Sequence, residues 1–85
     1  MVSDSEFRNP MDALVVGSVQ SLMGDTNIGI DDNFLDIGGN SIVAVRLGQL
    51  LSKELGIPRI TRIIFKNPVL RDLSNALSDL VDDAV

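Results

Sequence analysis

One serine, which follows two glycines and an asparagine, is the residue of this chain best placed to do chemistry. The segment reads Asp32-Asn33-Phe34-Leu35-Asp36-Ile37-Gly38-Gly39-Asn40-Ser41. Gly38 and Gly39 accept backbone angles that residues with a Cβ resist, and they leave little bulk beside the Ser41 hydroxyl. Another molecule can therefore approach Ser41 closely.

The segment that follows Ser41 is predicted to be a helix. Its apolar residues stand at positions 43, 47, 50 and 51, or equally at 44, 47, 51 and 55, as one helix face requires. At a helix N-terminus the first N–H groups lack partners and the dipole stabilises an anion. Asn40 is a good N-cap residue that would leave the Ser41 hydroxyl free. The alternative, commoner for a bare Gly-Gly-Xaa-Ser, is that Ser41 is itself the cap.

Length and composition exclude several functional classes. The 85 residues make one small domain with little room for a deep pocket. The chain has no cysteine and no histidine, so thiolate chemistry, the usual general base and the usual metal ligand are missing. No apolar run approaches the ~20 residues of a membrane helix, and no basic segment precedes an apolar one at the N-terminus. We therefore expect a cytoplasmic protein without a membrane partner.

The net charge of −5 is unevenly distributed along the chain. Residues 1–40 carry a net −6, residues 41–71 a net +5 and residues 72–85 a net −4. The basic middle has no aromatic residue besides Phe65 to stack on a base, so nucleic-acid binding is disfavoured. Most of these bases are interpreted as a solvated face, and some of them can still steer partner proteins.

Capping residues and apolar spacing predict two long helices joined by a long loop. The first spans about 10–23, with Asn9 as its cap and Pro10 as its first residue. The second runs from Asn40 or Ser41 to about residue 55 and is closed by Gly56. Its predicted buried residues are Val43, Ala44, Leu47, Leu50 and Leu51, and its predicted outer residues are Ile42, Val45, Arg46 and Gln49.

A short helix and a final long one are predicted after Gly56. Over residues 60–65, a turn or two of helix can pack onto the bundle through Ile60, Ile64 and Phe65. Asn67 and Pro68 then predict the cap and first residue of the last helix. Its predicted core residues are Leu70, Leu73, Leu77 and Leu80. Residues 1–8 are interpreted as a disordered lead, 9–82 as the domain and 83–85 as a frayed tail.

The loop over residues 24–40 is long for so small a domain, which favours a functional role or anchoring by its own side chains. The predicted anchors are Ile28, Ile30, Phe34, Leu35 and Ile37. Asp32 and Asp36 lack a third ligand at a recognisable calcium-loop spacing, so we interpret them as solvated acids and predict no metal site.

The segment from Asp32 to Ile42 resembles the core motif of peptidyl carrier proteins, the thiolation domains of nonribosomal peptide synthetases. The resemblance extends over roughly residues 11–81. It includes the segment 43–47 and Phe65-Lys66-Asn67-Pro68-Val69, which is similar to the family's Phe-Xaa-Xaa-Pro-Thr/Val signature. The chain departs from the family at Asn40, where His or Asp is commoner, and at Ile63, where a polar residue is expected. Ile63 is therefore a candidate exposed apolar contact.

The resemblance implies an all-α fold, a four-helix bundle of acyl-carrier type with three long helices, a short helix 3 and a long loop between helices 1 and 2. It implies that Ser41 receives 4′-phosphopantetheine from coenzyme A, with Gly38, Gly39 and Asn40 as local support. The implied partners are a phosphopantetheinyl transferase, an adenylation enzyme and condensation or tailoring enzymes of nonribosomal peptide or hybrid polyketide synthesis. We expect a monomeric carrier that is not an enzyme. The candidate docking residues for its partners are Ile42, Val45, Arg46 and Ile63.

Two other functions are alternatives to covalent carriage. Autonomous catalysis, with Ser41 as the nucleophile of a small hydrolase, is disfavoured because the chain lacks histidine and a Gly-Xaa-Ser-Xaa-Gly elbow. A non-covalent helical interaction module, in which Ser41 is only a helix cap, is compatible with the sequence. It predicts that coenzyme A and a transferase leave the protein's mass unchanged.

Overall fold

Four helices form the bundle in the computed structural model, which describes residues 10–83. The helices are α1 (Pro10–Met23), α2 (Ser41–Leu55), α3 (Ile60–Lys66) and α4 (Leu70–Asp83). The predicted all-α architecture of three long helices and one short helix is confirmed. The predicted cap Asn9, the lead over residues 1–8 and residues 84–85 of the tail lie outside the described residues.

Both long N-terminal helices end where glycine permits the chain to turn. Gly24 and Gly56, which follow α1 and α2, have φ angles of 65° and 70°. This left-handed conformation strains residues that carry a Cβ but not glycine. The Gly56 N–H also donates to the Ser52 carbonyl oxygen at 2.8 Å, which closes the last turn of α2.

The end of α3 differs from the prediction, because Asn67 belongs to it and does not cap α4. The Asn67 N–H donates to the carbonyl oxygens of Ile63 and Ile64 at 3.0 and 3.2 Å. Its side-chain amide donates to the Ile63 carbonyl oxygen at 3.1 Å. Asn67 therefore satisfies carbonyl groups that the end of a helix leaves without partners.

The start of α4 lies at Leu70 and not at Pro68, because the preceding residues pair with the loop between α1 and α2. The Phe34 N–H donates to the Pro68 carbonyl oxygen at 2.6 Å, and the Leu70 N–H donates to the Asp32 carbonyl oxygen at 3.0 Å. These bonds surround an antiparallel bridge between residues 33 and 69. The loop before α2 is thereby joined to the segment before α4.

All four helices and the loop contribute side chains to one apolar core. Its buried members are Val15, Val16, Val19, Ile28, Ile30, Phe34, Ala44, Leu47, Leu51, Ile60, Ile64, Leu70, Leu73 and Leu77. Val43 and Leu50, which were predicted to be buried, are only partly so. Ile28, Ile30 and Phe34 anchor the loop as predicted, and Ile37 packs against the core from its edge.

Three apolar residues predicted to pack inside are exposed: Leu35, Phe65 and Leu80. Leu35 lies in a series of tight turns whose inward position is taken by Phe34. Phe65 follows the buried residue Ile64 and therefore lies to one side of the buried face of α3. Leu80 lies one turn beyond Leu77, which is the last buried leucine of α4. Helical spacing alone therefore overestimates the buried surface at Phe65 and Leu80.

A glycine allows α2 and α3 to pack closely. Gly48 is buried, and a Cβ built on it would collide with Thr61 Oγ1. The same atom would lie 3.0 Å from Thr61 N and 3.2 Å from Thr61 Cα, so the backbone of α3 blocks it as well. Only glycine is compatible with this separation of the two helices.

A buried polar contact joins α1 to α4. The Ser74 hydroxyl donates to Asp12 Oδ1, and both side chains have no exposed surface. A carboxylate removed from water is tolerated only when hydrogen bonds replace its hydration. The contact therefore fixes how α4 is placed against α1.

We expect Ser74→Ala to lower the free energy of unfolding by about 1–3 kcal/mol, because the buried Asp12 carboxylate loses a donor that water cannot replace. Urea unfolding followed by circular dichroism measures the change. Ser78→Ala is the control on the same helix, since Ser78 is only partly buried, and it should alter stability by less than about 0.5 kcal/mol. Equal effects of the two substitutions would show that the contact contributes nothing specific.

Candidate functional site at the start of α2

Ser41 is the first residue of α2, and its side chain is exposed. The preceding residue, Asn40, is extended with φ −143° and ψ −176°, as an N-cap requires. Asn40 Oδ1 accepts hydrogen bonds from the N–H groups of Ile42 and Val43, each at 3.0 Å. The prediction that Asn40 caps this helix is therefore confirmed, and the alternative of Ser41 as the cap is wrong.

The Ser41 hydroxyl is available for chemistry. No hydrogen bond within residues 10–83 engages its side chain. The hydroxyl lies at the positive end of the α2 dipole, where a negatively charged group bonded to it is stabilised. The site thus combines an accessible oxygen with a favourable electrostatic environment for an anion.

Gly38 and Gly39 lie just before Ser41, and each of the two positions requires glycine for a different physical reason. Gly38 has φ 97°, which residues with a Cβ rarely adopt. Gly39 packs on Phe34: a Cβ on Gly39 would lie only 2.5 Å from Phe34 Cε2 and from the Phe34 carbonyl oxygen. The Gly39 N–H also donates to that oxygen at 2.9 Å. The segment before Ser41 is therefore held against a buried aromatic ring.

Polar contacts hold the rest of the loop in place. The Asp32 carboxylate accepts from the Gly29 N–H at 2.8 Å, and the Gln20 side chain of α1 donates to the Ile28 carbonyl oxygen at 2.8 Å. Asp32 therefore has a structural role that its interpretation as a solvated acid missed.

An ion pair connects the same loop to α4. Arg71 Nε donates to Asp31 Oδ1 at 2.6 Å. This hydrogen bond raises the pKa of Arg71, and the negative charge of Asp31 acts in the same direction. Because the Asp31 side chain is largely exposed, the pair is screened by salt and contributes little to stability.

Neither a metal centre nor a membrane helix is evident within residues 10–83. No group of three or more acidic side chains there is arranged to hold a metal ion, and Asp36 is exposed. No helix in the same range has both the length and the apolar content needed to cross a bilayer.

Three of the four candidate docking residues lie on one exposed strip of α2 that starts at Ser41. Ile42 is 69% exposed, Val45 is 45% exposed, and Arg46 is exposed as well. Ile63, the fourth, is half-buried and packs against the core, so its assignment as an exposed contact is wrong. The exposed apolar residue of α3 is instead Phe65, at 46%. The sequence alone did not separate Phe65 from the buried residues Ile60 and Ile64.

The sequence matches a family model described as the phosphopantetheine attachment site over residues 13–77. A cyclosporin synthetase of Tolypocladium inflatum is 36% identical over 67 residues, which are 79% of this chain and, to the nearest per cent, 0% of that protein. The phosphinothricin tripeptide synthetase PhsB of Streptomyces viridochromogenes is 35% identical over 68 residues, 80% of this chain and 6% of that protein. The chain therefore spans a very small part of these relatives.

A solved structure has the same fold. It is the solution structure of an active-site mutant peptidyl carrier protein, and its TM-score with this chain is 0.78. The two are 22% identical in sequence, and the match covers 86% of this chain and 81% of the other. The expected four-helix bundle of carrier type is confirmed by this similarity.

Proposed function

Since this chain belongs to the phosphopantetheine attachment site family, we propose that Ser41 is the residue that carries its 4′-phosphopantetheine. The observation that supports this assignment is that the hydroxyl of Ser41, the first residue of α2, is exposed and forms no hydrogen bond within residues 10–83. Asn40, and not Ser41, caps the helix. The prosthetic group of this family supplies a thiol on a flexible arm, and the thiol holds an acyl group as a thioester.

The residues around Ser41 fit a phosphodiester at this position. Gly38 and Gly39 place no side chain beside the hydroxyl, and the start of α2 stabilises the negative charge that the phosphate brings. Asn40 adds no charge of its own. These features support attachment of the group at Ser41.

In the proposed modification, Ser41 Oγ forms a bond to the β-phosphorus of coenzyme A, and 3′,5′-ADP leaves. The chain supplies an accessible hydroxyl and not an activated one, because no histidine is present and neither lysine lies next to Ser41 in the sequence. The base that removes the hydroxyl proton, and the magnesium ion, belong to the transferase. We accordingly propose a carrier that is a substrate of enzymes and not an enzyme itself.

We further propose that the chain carries an aminoacyl or peptidyl group in nonribosomal peptide synthesis or a related hybrid pathway. Its relatives include synthetases of cyclosporin, of phosphinothricin tripeptide and of linear gramicidin. The proposed partners are a phosphopantetheinyl transferase, an adenylation enzyme and condensation or tailoring enzymes, which would act in the cytoplasm, where coenzyme A is available. Attachment to the carrier raises the effective concentration of the acyl group at each enzyme that docks.

The exposed strip of α2 is the proposed place where these enzymes dock. Any enzyme that acts at Ser41 must cover the start of α2, where Ile42 and Val45 are exposed. Apolar side chains that contact water in the free carrier would be buried in the complex, which favours association. Arg46 lies one turn beyond Ile42 on the same strip.

Mass spectrometry of the intact protein tests the proposal. The purified chain is incubated with coenzyme A, magnesium and a promiscuous phosphopantetheinyl transferase, and we expect the mass to increase by one phosphopantetheine group. Fragmentation should place the added group on Ser41. An unchanged mass, for protein whose circular dichroism shows a folded helical bundle, would favour a non-covalent interaction module instead, with Asn40 and not Ser41 as the helix cap.

A further inference from the structure

The exposed positive charges of residues 10–83 are concentrated on α2, on α3 and on the connection between them. They belong to Arg46, Lys53, Arg59, Arg62 and Lys66. Over the same stretch, residues 41–66, the only acidic residue is Glu54. Within the described part of the chain, none of these five bases takes part in an ion pair. Their charges are therefore available to a partner.

On α2 the bases continue the strip that begins with apolar residues at Ser41. Ile42, Arg46, Gln49 and Lys53 follow one another at helical spacings of three and four and are all exposed. Val45, the other apolar residue of the strip, is exposed too. An enzyme that reaches Ser41 along α2 therefore meets apolar side chains first and positive charges next.

α3 extends this surface sideways. Thr61 lies against Gly48, seven residues before the end of α2, so α3 folds back along α2. Phe65 is one turn beyond Thr61 on the same side of α3 and is exposed. Arg62, three residues before Phe65, and Lys66, four residues after Arg62, are exposed as well. We call the surface of α2 and α3 formed by Ile42, Val45, Arg46, Lys53, Arg62, Phe65 and Lys66 the cationic face.

The other pair of helices has the opposite charge. α4, which packs mainly on α1, exposes Asp72, Asp79 and Asp82. The one basic residue of α4, Arg71, is already bonded to Asp31. The chain is thus acidic overall but presents positive charge around the helix that bears its modification site.

We infer that the cationic face docks enzymes whose own surface carries acidic residues around an apolar depression. This inference rests on the proposed function. Opposite charges steer such a surface toward α2 and α3, while the acids of α4 repel it from the other side, so that encounters are oriented toward Ser41. Phe65 supplies an aromatic anchor of the kind that carries much of the binding energy in protein interfaces.

The test uses two phosphopantetheinyl transferases of known structure, one with an acidic surface and one with a basic surface around the active site. We expect kcat/KM for the modification of Ser41 to be at least tenfold higher with the acidic transferase at low salt. That advantage should disappear between about 0.01 M and about 1 M NaCl, as the screening length falls from roughly 30 Å to roughly 3 Å. Equal rates with both transferases, or rates that salt does not change, would overturn the inference.

A matched pair of variants separates the cationic face from the net charge. Arg46→Gln with Lys66→Gln removes two positive charges from the face, and we expect it to lower kcat/KM for the acidic transferase about tenfold at low salt. Ala13→Glu with Ser21→Glu makes the same change in net charge at exposed positions of α1, and it should have less than a twofold effect. Similar losses in both variants would mean that only the net charge matters.

Two further measurements give independent outcomes. Phe65→Ser should lower kcat/KM at low and at high salt alike, because it removes an apolar contact that ions do not screen; an unchanged kcat/KM would exclude Phe65 as an anchor. Cosedimentation of the chain with vesicles of anionic phospholipid, lost in the Arg46→Gln and Lys66→Gln variant, would overturn the inference in favour of a membrane surface.

If neither transferase modifies the unmutated chain, the proposed function itself fails. If modification proceeds at rates indifferent to these charges, only the docking inference fails.

Discussion

Ser41→Ala is expected to abolish the addition of phosphopantetheine without changing the stability of the fold. The hydroxyl is the only group that the substitution removes, and it forms no hydrogen bond within the described residues. Exposed positions without such contacts usually change the free energy of unfolding by less than about 0.5 kcal/mol. Intact mass after treatment with transferase and coenzyme A measures the first effect, and urea unfolding measures the second.

Asn40→Ala should have the opposite pair of effects. Its side chain accepts from the N–H groups of Ile42 and Val43, so its loss should cost about 1 kcal/mol of stability. For a domain of this size, that corresponds to a decrease in Tm of roughly 4–8 °C. The serine remains, so the variant should still gain the mass of one phosphopantetheine. If Ser41→Ala proved to be the destabilising substitution, the division of roles between the two residues would be wrong.

Gly48→Ala should destabilise the protein by about 1–3 kcal/mol, the usual cost of overpacking a close contact. The new methyl group would collide with Thr61 Oγ1 and would also press on the backbone of Thr61, which a change of rotamer cannot relieve. α3 would have to move away from α2. Thermal unfolding measures the loss, and chemical-shift changes centred on residues 60–66 would identify the helix that moves.

Gly17→Ala is the matched control for this substitution. Gly17 also lies inside a helix, but it is exposed, and a Cβ there would meet no atom within 4 Å. Alanine is the better helix former, so this variant should be more stable than the parent by about 0.5–1 kcal/mol. A Gly48→Ala protein as stable as the Gly17→Ala protein would mean that α2 and α3 do not pack as closely as the structure has them.

The parts of the fold that the sequence predicts well are those that local chemistry decides. Gly24 and Gly56 end helices because of their own conformational freedom, and Asn40 caps α2 through atoms two and three residues away. The position of Ser41 follows from the same short range. Its assignment as the candidate modification site rests in addition on the resemblance of residues 32–42 to the carrier-protein motif.

Features that depend on distant residues were not predictable in the same way. Asn67 and Pro68 carry a good signal for the start of a helix, but the Pro68 carbonyl oxygen accepts from the Phe34 N–H, and this pairing delays α4. Asp12, an acid in the first turn of α1, is buried only because Ser74 lies opposite. In each case the partner is too far along the chain for spacing or propensity to reveal it.

The role of Phe65 illustrates the same limit for the functional surface. Its sequence context is compatible with core packing, and the orientation of α3 against Gly48 decides that it faces outward. The sequence shows that positive charges follow Ser41, but it does not show that α3 brings Arg62 and Lys66 alongside α2. A docking surface made by two helices requires the tertiary structure.

The bridge between residues 33 and 69 also affects the stage of synthesis at which the site around Ser41 is complete. During synthesis, Ser41 leaves the ribosome before Pro68 and Leu70 do. The backbone groups of these two later residues form the hydrogen bonds that complete the loop before Ser41. A half-made domain therefore already contains the serine but not the finished loop. The complete site therefore requires a chain that extends at least through Leu70, and an enzyme that recognises the folded loop would modify only such a chain.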